Sequence, residues 1–144
     1  MYVALLLLLS SSLILPSSSF EQAIGVRGRI TCRNQPVKDA LVQLIELDIW
    51  PDADDELATV RTDDDGWFSI TGVESELTSI SPAVKFYHRC PHPGHSVLSM
   101  NCYREVTHYI PSEYINSGLK RLMFYELGDI EMSRRHVYEE TTCT

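Results

Sequence analysis

The sequence predicts an all-β domain, a β-sandwich of about seven or eight short strands with at most one short helix. Three observations lead to this prediction. Apolar and polar residues alternate with a period of two in several segments. The loops between these segments contain Asp, Asn, Gly and Pro, which are typical of turns between strands. No segment of ordinary helix length shows the apolar spacing of an amphipathic helix.

The chain begins with an apolar leader that is typical of a signal peptide. Residues 3–9 are all apolar, and Ser17 and Ser19 are small residues at the −3 and −1 positions of a cleavage site after Ser19. The leader contains no Lys or Arg, so the usual positive start is absent. Its apolar stretch is shorter than the ~20 residues that a transmembrane helix needs. We therefore predict a signal peptide over residues 1–19, no integral membrane segment, and one domain over residues 20–144.

The strands are predicted in order from the alternation. In the first strand, Val26, Ile30 and Cys32 are separated by arginines and a threonine, so one face is apolar and the other polar. The second strand is partly apolar on both faces, so its register stays ambiguous. The predicted strands cover residues 25–32, 40–47, 57–62, 67–73, 83–89, 102–110 and 125–132.

The connections between the strands contain characteristic turn residues. Asn34-Gln35-Pro36 is predicted to turn the chain after the first strand. Asp63-Asp64-Asp65-Gly66 has the composition of a hairpin turn, because Asp tolerates turn conformations and Gly supplies a positive φ. Residues 91–95 are predicted to form a loop, and residues 111–115 at most one helical turn. Residues 133–144 are predicted to form a polar tail.

The charge balance limits the classes of partner. The formal net charge is −8, with 20 acidic residues against 12 basic ones. Such a chain repels nucleic acid and anionic lipid surfaces. We therefore expect no nucleic-acid partner.

Four cysteines predict two disulfides, because oxidation is the usual state of an even number of cysteines in an exported chain. Three pairings are possible, and the sequence does not choose among them. Cys90 and Cys102 flank a short segment with Pro and Gly that would bring its ends together. We favour this pair, which leaves Cys32 to pair with Cys143.

The chain from residue 20 onwards resembles the nematode transthyretin-like family over nearly its whole length. The resemblance lies in the order, spacing and cysteine placement of several short motifs. The matching residues are Gly25-Val26-Arg27-Gly28-Arg29, Cys32, Pro36, Thr62-Asp63, Asp65-Gly66, Phe68, Gly72, Glu76, Ile80, Pro82, Tyr87-His88, Cys90, Cys102, Ile110-Pro111, Tyr114, Gly128 and Cys143. The resemblance implies a secreted transthyretin-type sandwich that binds an extracellular ligand or a cell surface and has no catalytic machinery.

Two large aromatic residues beside acidic loops predict a binding face. Trp67 adjoins the hairpin turn with Asp63 and Asp65, and Trp50 adjoins the acidic loop of residues 51–56. Function often lies on loops that a rigid scaffold carries, so we predict partner recognition where both tryptophans project. Most tyrosines alternate with apolar strand positions and are assigned to the core. The tyrosines considered are Tyr87, Tyr103, Tyr109, Tyr114, Tyr125 and Tyr138.

A group of histidines has the chemistry of zinc or copper ligands. These residues are His88, His92, His95 and His108. Oxidised cysteines nearby cannot act as ligands, and a loop with two prolines need not bring imidazoles together. The favoured interpretation is a polar loop closed by a disulfide, with no metal.

Two acidic segments have the oxygen ligands that calcium prefers. They are Asp63-Asp64-Asp65 and the group Asp52, Asp54, Asp55 and Glu56. No bidentate Glu follows Gly66 at the distance that a calcium loop requires. A solvated hairpin turn is therefore favoured, and no cofactor is predicted.

We predict a secreted, non-enzymatic protein that recognises an extracellular or cell-surface protein, or a small apolar or lipid ligand. Nucleophile-elbow, zinc-protease and phosphate-loop motifs do not occur. One alternative is a hydrolase of the hydroxyisourate type, although residues 139–144 lack the Tyr-Arg-Gly-Ser ending of those enzymes. Another is a structural protein of the extracellular matrix or cuticle. The sequence leaves the oligomeric state open.

Overall fold

The structure is a computed structural model in which two β-sheets pack face to face. It describes residues 20–48, 53–76, 78–95, 97–118 and 122–144. The signal peptide over residues 1–19 and the position of Trp50 lie outside these ranges and stay predictions. In the ranges described, no helix has both the length and the apolar character needed to span a membrane.

The described residues form ten strands and one short helix. The strands are β1 (Phe20–Cys32), β2 (Gln35–Pro36), β3 (Leu41–Glu46), β4 (Asp55–Arg61), β5 (Trp67–Glu76), β6 (Pro82–His88), β7 (Cys102–Tyr109), β8 (Asn116–Ser117), β9 (Phe124–Glu131) and β10 (Glu139–Cys143). The helix is one 3-10 turn at Ser112–Tyr114.

The long strand β1 organises the first sheet. It pairs antiparallel with β5 and parallel with β9, and the short strands β2 and β8 also pair with it. Two glycines in β1 allow this close pairing. A Cβ on Gly25 would lie 2.9 Å from ring atoms of Phe124, and one on Gly28 would lie 3.0 Å from the Gly128 carbonyl oxygen. Larger residues at these positions would push β9 away from β1.

The second sheet is antiparallel throughout, with the strand order β10-β7-β6-β3-β4. At one end of this sheet, Glu46 pairs with Asp55 on one side and with Pro82 on the other. The backbone N–H of Ile110 donates to the Pro82 carbonyl at 3.0 Å. These four residues form a row across four neighbouring strands or their ends, which we call the Pro82 rim.

The core lies between the two sheets and consists of the inward-facing residue of each alternating pair. Along β5 the pattern of exposed and buried residues alternates strictly from Trp67 to Gly72. The rings of Phe68 and Phe86 meet edge to face across the core at 5.3 Å. Burying each large aliphatic side chain contributes about 1.5–3 kcal/mol. Fully buried members include Ile24, Val26, Ile30, Val42, Leu44, Ile70, Val84, Val106 and Met132.

The all-β prediction is confirmed, and each of the seven predicted strands has a counterpart in the structure. The single helical turn is also confirmed. The hairpin turn joins β4 to β5, with Gly66 at a φ of 81°. The first turn lies at Arg33 and Asn34, whose φ values are 53° and 62°, one residue earlier than predicted. Gln35 and Pro36 instead form β2.

The predicted polar tail is wrong, because Glu139–Cys143 forms β10 at the edge of the second sheet. The five residues Glu139 to Cys143 pair antiparallel with β7. An edge strand of this kind gives no apolar alternation, since backbone hydrogen bonds hold it and its side chains are mostly polar. The period-two pattern that predicted the other strands is therefore absent here.

The predicted disulfide pairing is also wrong, although all four cysteines are bonded. Cys32 pairs with Cys90, with a Cα–Cα distance of 5.8 Å. Cys102 pairs with Cys143, with a Cα–Cα distance of 4.0 Å. The physical reason is β10, whose register places Cys143 directly opposite Cys102. The Cys32–Cys90 bridge then links the end of β1 in one sheet to the end of β6 in the other.

Candidate functional site

Of the residues assigned to the predicted binding face, the structure describes Trp67, Asp63 and Asp65. Trp67 is 50% exposed and lies opposite Arg29 on the neighbouring strand. The Arg29 guanidinium lies 6.0 Å from the centre of the Trp67 ring, and its Nε donates to the Asp65 carbonyl at 2.8 Å. Trp50 lies outside the described residues. Among the described residues of this predicted face, Trp67 is an exposed aromatic residue near an arginine, and the face as a whole stays a prediction.

The carboxylate of Asp63 holds the turn together. Its Oδ1 accepts hydrogen bonds from the backbone N–H groups of Asp65 and Trp67, each at 2.9 Å. Gly66 is required there, because an added Cβ would lie 2.4 Å from the Ile30 carbonyl oxygen. Backbone geometry therefore accounts for Asp63 and Gly66 in this turn.

A larger exposed apolar surface lies where β7 ends and β10 begins. It consists of Tyr109, Val137 and Tyr138, which we call the tyrosine patch. Their exposed fractions are 51%, 90% and 55%. The two tyrosine rings meet edge to face with 4.8 Å between their centres. The prediction that most tyrosines belong to the core is therefore wrong for Tyr109, and Tyr138, which lies in the predicted polar tail, is exposed as well.

Backbone pairing fixes the tyrosine patch on the second sheet. Tyr109 is the last residue of β7. The backbone N–H of Thr107 donates to the Tyr138 carbonyl at 2.9 Å, which holds the segment before β10 against β7. A groove of about 400 Å³ adjoins the patch, and Lys85, Glu105 and Glu140 line it together with the patch residues. The patch is thus an apolar surface with a charged border.

A buried ion pair anchors β10 beside the patch. Arg104 on β7 is 0% exposed. Its Nε and Nη2 donate to the two carboxylate oxygens of Glu139 at 2.9 and 2.8 Å. Nη1 also donates to the carbonyls of Cys90 and Met132 at 2.9 and 2.7 Å. Burial raises the pKa of Glu139, but the hydrogen bonds and charge of Arg104 outweigh it, so the net pKa is lowered.

The histidines do not converge on one point. The His92 and His95 rings lie 6.4 Å apart. His88 Nδ1 accepts the backbone N–H of Cys90 at 3.1 Å. Burial and then the charge of Arg104 lower the pKa of His88 to about 3, so this imidazole is neutral. Among the described residues, the one group with three potential ligand atoms close together is Glu46, Asp48 and Asp55.

A second groove of about 600 Å³ lies over the Cys32–Cys90 bridge. The rings of Tyr87 and Tyr103, 5.8 Å apart, form one wall. Val37 adds apolar surface to the lining. This groove has the concave shape and mixed lining of a small-ligand site.

Together, the two packed sheets and two disulfides define a disulfide-bonded β-sandwich protein with an exposed aromatic surface. A sequence profile of the transthyretin-like family matches residues 27–111. The similar proteins also carry the name of this family. The chain therefore belongs to the transthyretin-like family.

The similar proteins are from Caenorhabditis elegans. The chain is 36% identical to transthyretin-like protein 5, over 98% of this chain and 96% of that protein. It is 35% identical to transthyretin-like protein 33, over 86% and 83% of the two chains, and 36% identical to transthyretin-like protein 46, over 94% and 74%. Among solved structures, a 9R-lipoxygenase from Cyanothece aligns with 77% of this chain and 16% of its own, at a TM-score of 0.40 and 12% identity. That likeness carries no argument about the fold.

The region matched by the profile ends before β9 and β10. Two of the three residues in the tyrosine patch, Val137 and Tyr138, therefore lie beyond it. The sequence does not place them beside Tyr109, because a predicted polar tail has no pairing with β7. The one available signal was the pair of apolar residues Val137-Tyr138 within an otherwise polar stretch.

Proposed function

We propose that the chain is a secreted, non-enzymatic protein that recognises an extracellular or cell-surface protein through the tyrosine patch. The observation that carries this proposal is the adjacent exposure of Tyr109, Val137 and Tyr138. Large exposed apolar surfaces on soluble domains mark interaction sites. Tyrosine is enriched among the residues that dominate binding energy, because it buries much area at little entropic cost.

The surroundings of the patch support a protein partner. Lys85, Glu105 and Glu140 border it. An apolar centre with a polar border is the usual arrangement of a protein interface, since the border excludes water from the centre. Membership of the transthyretin-like family and two disulfides support the extracellular location.

A small apolar ligand is the second candidate, and the groove over the Cys32–Cys90 bridge favours it. Its volume of about 600 Å³ lies in the range of small-molecule sites. Tyr87 and Tyr103 would contact a ligand there through their rings. A ligand in this groove would use a different surface from a protein at the tyrosine patch.

Binding of purified, labelled protein to cells of the source tissue separates the two candidates. We expect Tyr109→Ser combined with Tyr138→Ser to weaken binding about thirtyfold or more, since truncating even one tyrosine at a binding centre costs about 2 kcal/mol. Trp67→Ser is the matched control, because it removes an equally exposed aromatic residue at another site. Tyr103→Ala tests the groove.

Unchanged binding of the double tyrosine variant would contradict the proposal. Loss of cell binding in Tyr103→Ala alone would move the recognition surface from the tyrosine patch to the groove. A turnover assay with hydroxyisourate tests the enzymatic alternative, and saturable hydrolysis by the purified wild type would overturn the non-enzymatic assignment.

A further inference from the structure

Three carboxylates meet at the Pro82 rim. Glu46 is the last residue of β3, Asp55 is the first residue of β4 and pairs directly with it, and Asp48 follows two residues after Glu46. One oxygen from each side chain lies within 4.8 Å of the others. Like charges placed directly opposite each other across two strands are destabilising. Local sequence groups Asp55 with its acidic neighbours in the 52–56 segment, whereas the structure brings it to Glu46 and Asp48.

Glu46 distinguishes this group from an ordinary acidic surface. It is 7% exposed, and its Oε2 atom has no hydrogen-bond partner among the residues that the structure describes. A buried carboxylate oxygen without a partner is costly, so such an atom requires an explanation. Asp48 is partly buried and Asp55 is exposed, so the group opens to solvent on one side.

Neighbouring basic side chains do not neutralise the group. Lys85 lies on the adjacent strand β6, but its Nζ is 3.3 Å from Glu105 and 3.8 Å from Asp54. None of the ion pairs found between described residues includes Glu46, Asp48 or Asp55. The three carboxylates therefore concentrate negative charge around one partly buried point.

We propose that Glu46, Asp48 and Asp55 bind a calcium ion at the Pro82 rim. Hard cations take oxygen ligands, and the group contains neither the imidazole nor the thiolate that zinc prefers. Calcium accepts six to eight oxygens in an irregular arrangement, so water on the open side completes the shell. Magnesium demands near-ideal octahedral geometry, which carboxylates on two strands and a loop do not readily provide.

The expected affinity is that of an extracellular module. Such sites bind calcium with dissociation constants on the order of 10⁻⁴–10⁻³ M. A site with one buried and two more accessible carboxylates fits this weak class better than a fully enclosed site would. The calcium site is inferred from the carboxylates alone, so it does not depend on the proposed partner.

The test uses the full disulfide-bonded protein, stripped with a chelator and titrated with calcium chloride alone up to about 10 mM, tenfold above the weak end of the range. Calorimetry and thermal unfolding are measured in parallel, and magnesium chloride serves as the ion control. We expect saturable binding of one calcium ion per chain and a rise in melting temperature. Magnesium should bind at least tenfold more weakly.

Two variants locate the ion. Glu46→Gln and Asp55→Asn keep the side-chain shape and remove one charge each, and each should weaken calcium binding at least tenfold. Asp64→Asn is the matched control, because this carboxylate is exposed in the other acidic segment, beside Lys38. It should bind calcium as the wild type does.

Each of three results would overturn the proposal. These are no saturable calcium binding by the wild type, equal affinity for magnesium, and wild-type affinity in Glu46→Gln. Loss of binding in Asp64→Asn with retention in the other two variants would move the ion to the Asp63 turn and equally refute this site.

Discussion

The second sheet contains two buried carboxylates with opposite surroundings. The Glu139 side chain, at the start of β10, is 8% exposed and forms two hydrogen bonds with Arg104. Glu46, at the end of β3, faces Asp48 and Asp55. The pKa of Glu139 is lowered, because the contacts with Arg104 outweigh burial. The pKa of Glu46 is raised, first by burial and then by the charge of Asp48.

This difference shows that burial alone does not reveal the role of a carboxylate. Around Glu139 the charges are matched within the chain, and the pair fastens an edge strand to the sheet. Around Glu46 the neighbouring side chains are also carboxylates, so repulsion between like charges destabilises the folded chain at this point. The first arrangement stabilises the fold, whereas the second is suited to binding a cation.

The largest predicted effect comes from breaking the matched pair. Arg104→Met should lower the free energy of unfolding by about 3–5 kcal/mol, because it leaves Glu139 buried without its partner. Several carbonyl oxygens that Arg104 bonds would also lose their donor. Urea unfolding at neutral pH measures the loss. The control is Arg61→Met, whose ion pair with Asp39 is exposed and contributes about 0–1 kcal/mol.

A loss below about 1 kcal/mol in Arg104→Met would show that the pair does not fasten β10. The double variant Arg104→Met with Glu139→Leu sharpens the result. It removes the orphaned carboxylate, so it should regain part of the stability but not the carbonyl hydrogen bonds.

Acid should weaken the ion pair between Glu139 and Arg104. Because the folded-state pKa of Glu139 is lowered, its contribution to stability is present above the pKa of the unfolded chain, about 4.3, and is lost as the pH falls through the folded-state value. Glu139→Gln should therefore lower stability at neutral pH and flatten the decrease as the pH falls below the unfolded-state value of about 4.3. Urea unfolding across this range measures both.

The Glu139→Gln variant should still lose some stability on acidification, because Glu131 also has a lowered pKa. Burial raises its pKa, but hydrogen bonds from Ser133, Asn34 and Thr31 outweigh burial and bring it to about 2. Its contribution is lost on acidification with the same sign. An unchanged pH slope in Glu139→Gln would mean that Glu139 contributes nothing to acid sensitivity.

The smallest predicted effect has the opposite sign. In calcium-free buffer, Glu46→Gln should raise the free energy of unfolding by about 0.2–1 kcal/mol, because it removes a like charge opposite Asp55. The control Glu105→Gln removes the partner of Lys85 and should produce no such gain. A Glu46→Gln variant that is less stable than the wild type without calcium would show that the negative charge of Glu46 stabilises the fold.

The sequence predicts those parts of the fold that repeat a pattern. Alternation around Val26 and Ile30 indicates β1, and the Asp63 to Gly66 composition indicates the hairpin turn. β10 has no such pattern, because its side chains are mostly polar and its pairing with β7 is made by the backbone. The wrong disulfide pairing follows from that one error, since only β10 places Cys143 beside Cys102.

The candidate sites were harder to predict for a related reason. Trp67 is exposed as expected, but Tyr109 is at a strand end, where alternation no longer decides which face a side chain takes. Glu46 lies within a predicted strand and outside the acidic segments. Its approach to Asp55 depends on a cross-strand register that the sequence leaves ambiguous. Both features arise from long-range pairing, not from local composition.

The Pro82 rim connects the two proposed sites through a row of paired residues. It runs from Asp55 through Glu46 and Pro82 to Ile110, the residue that follows Tyr109. An ion at one end of this row and a protein at the other would both act on the same backbone. Thermodynamic linkage then makes any coupling reciprocal: the factor by which calcium changes the affinity for a partner is also the factor by which that partner changes the affinity for calcium.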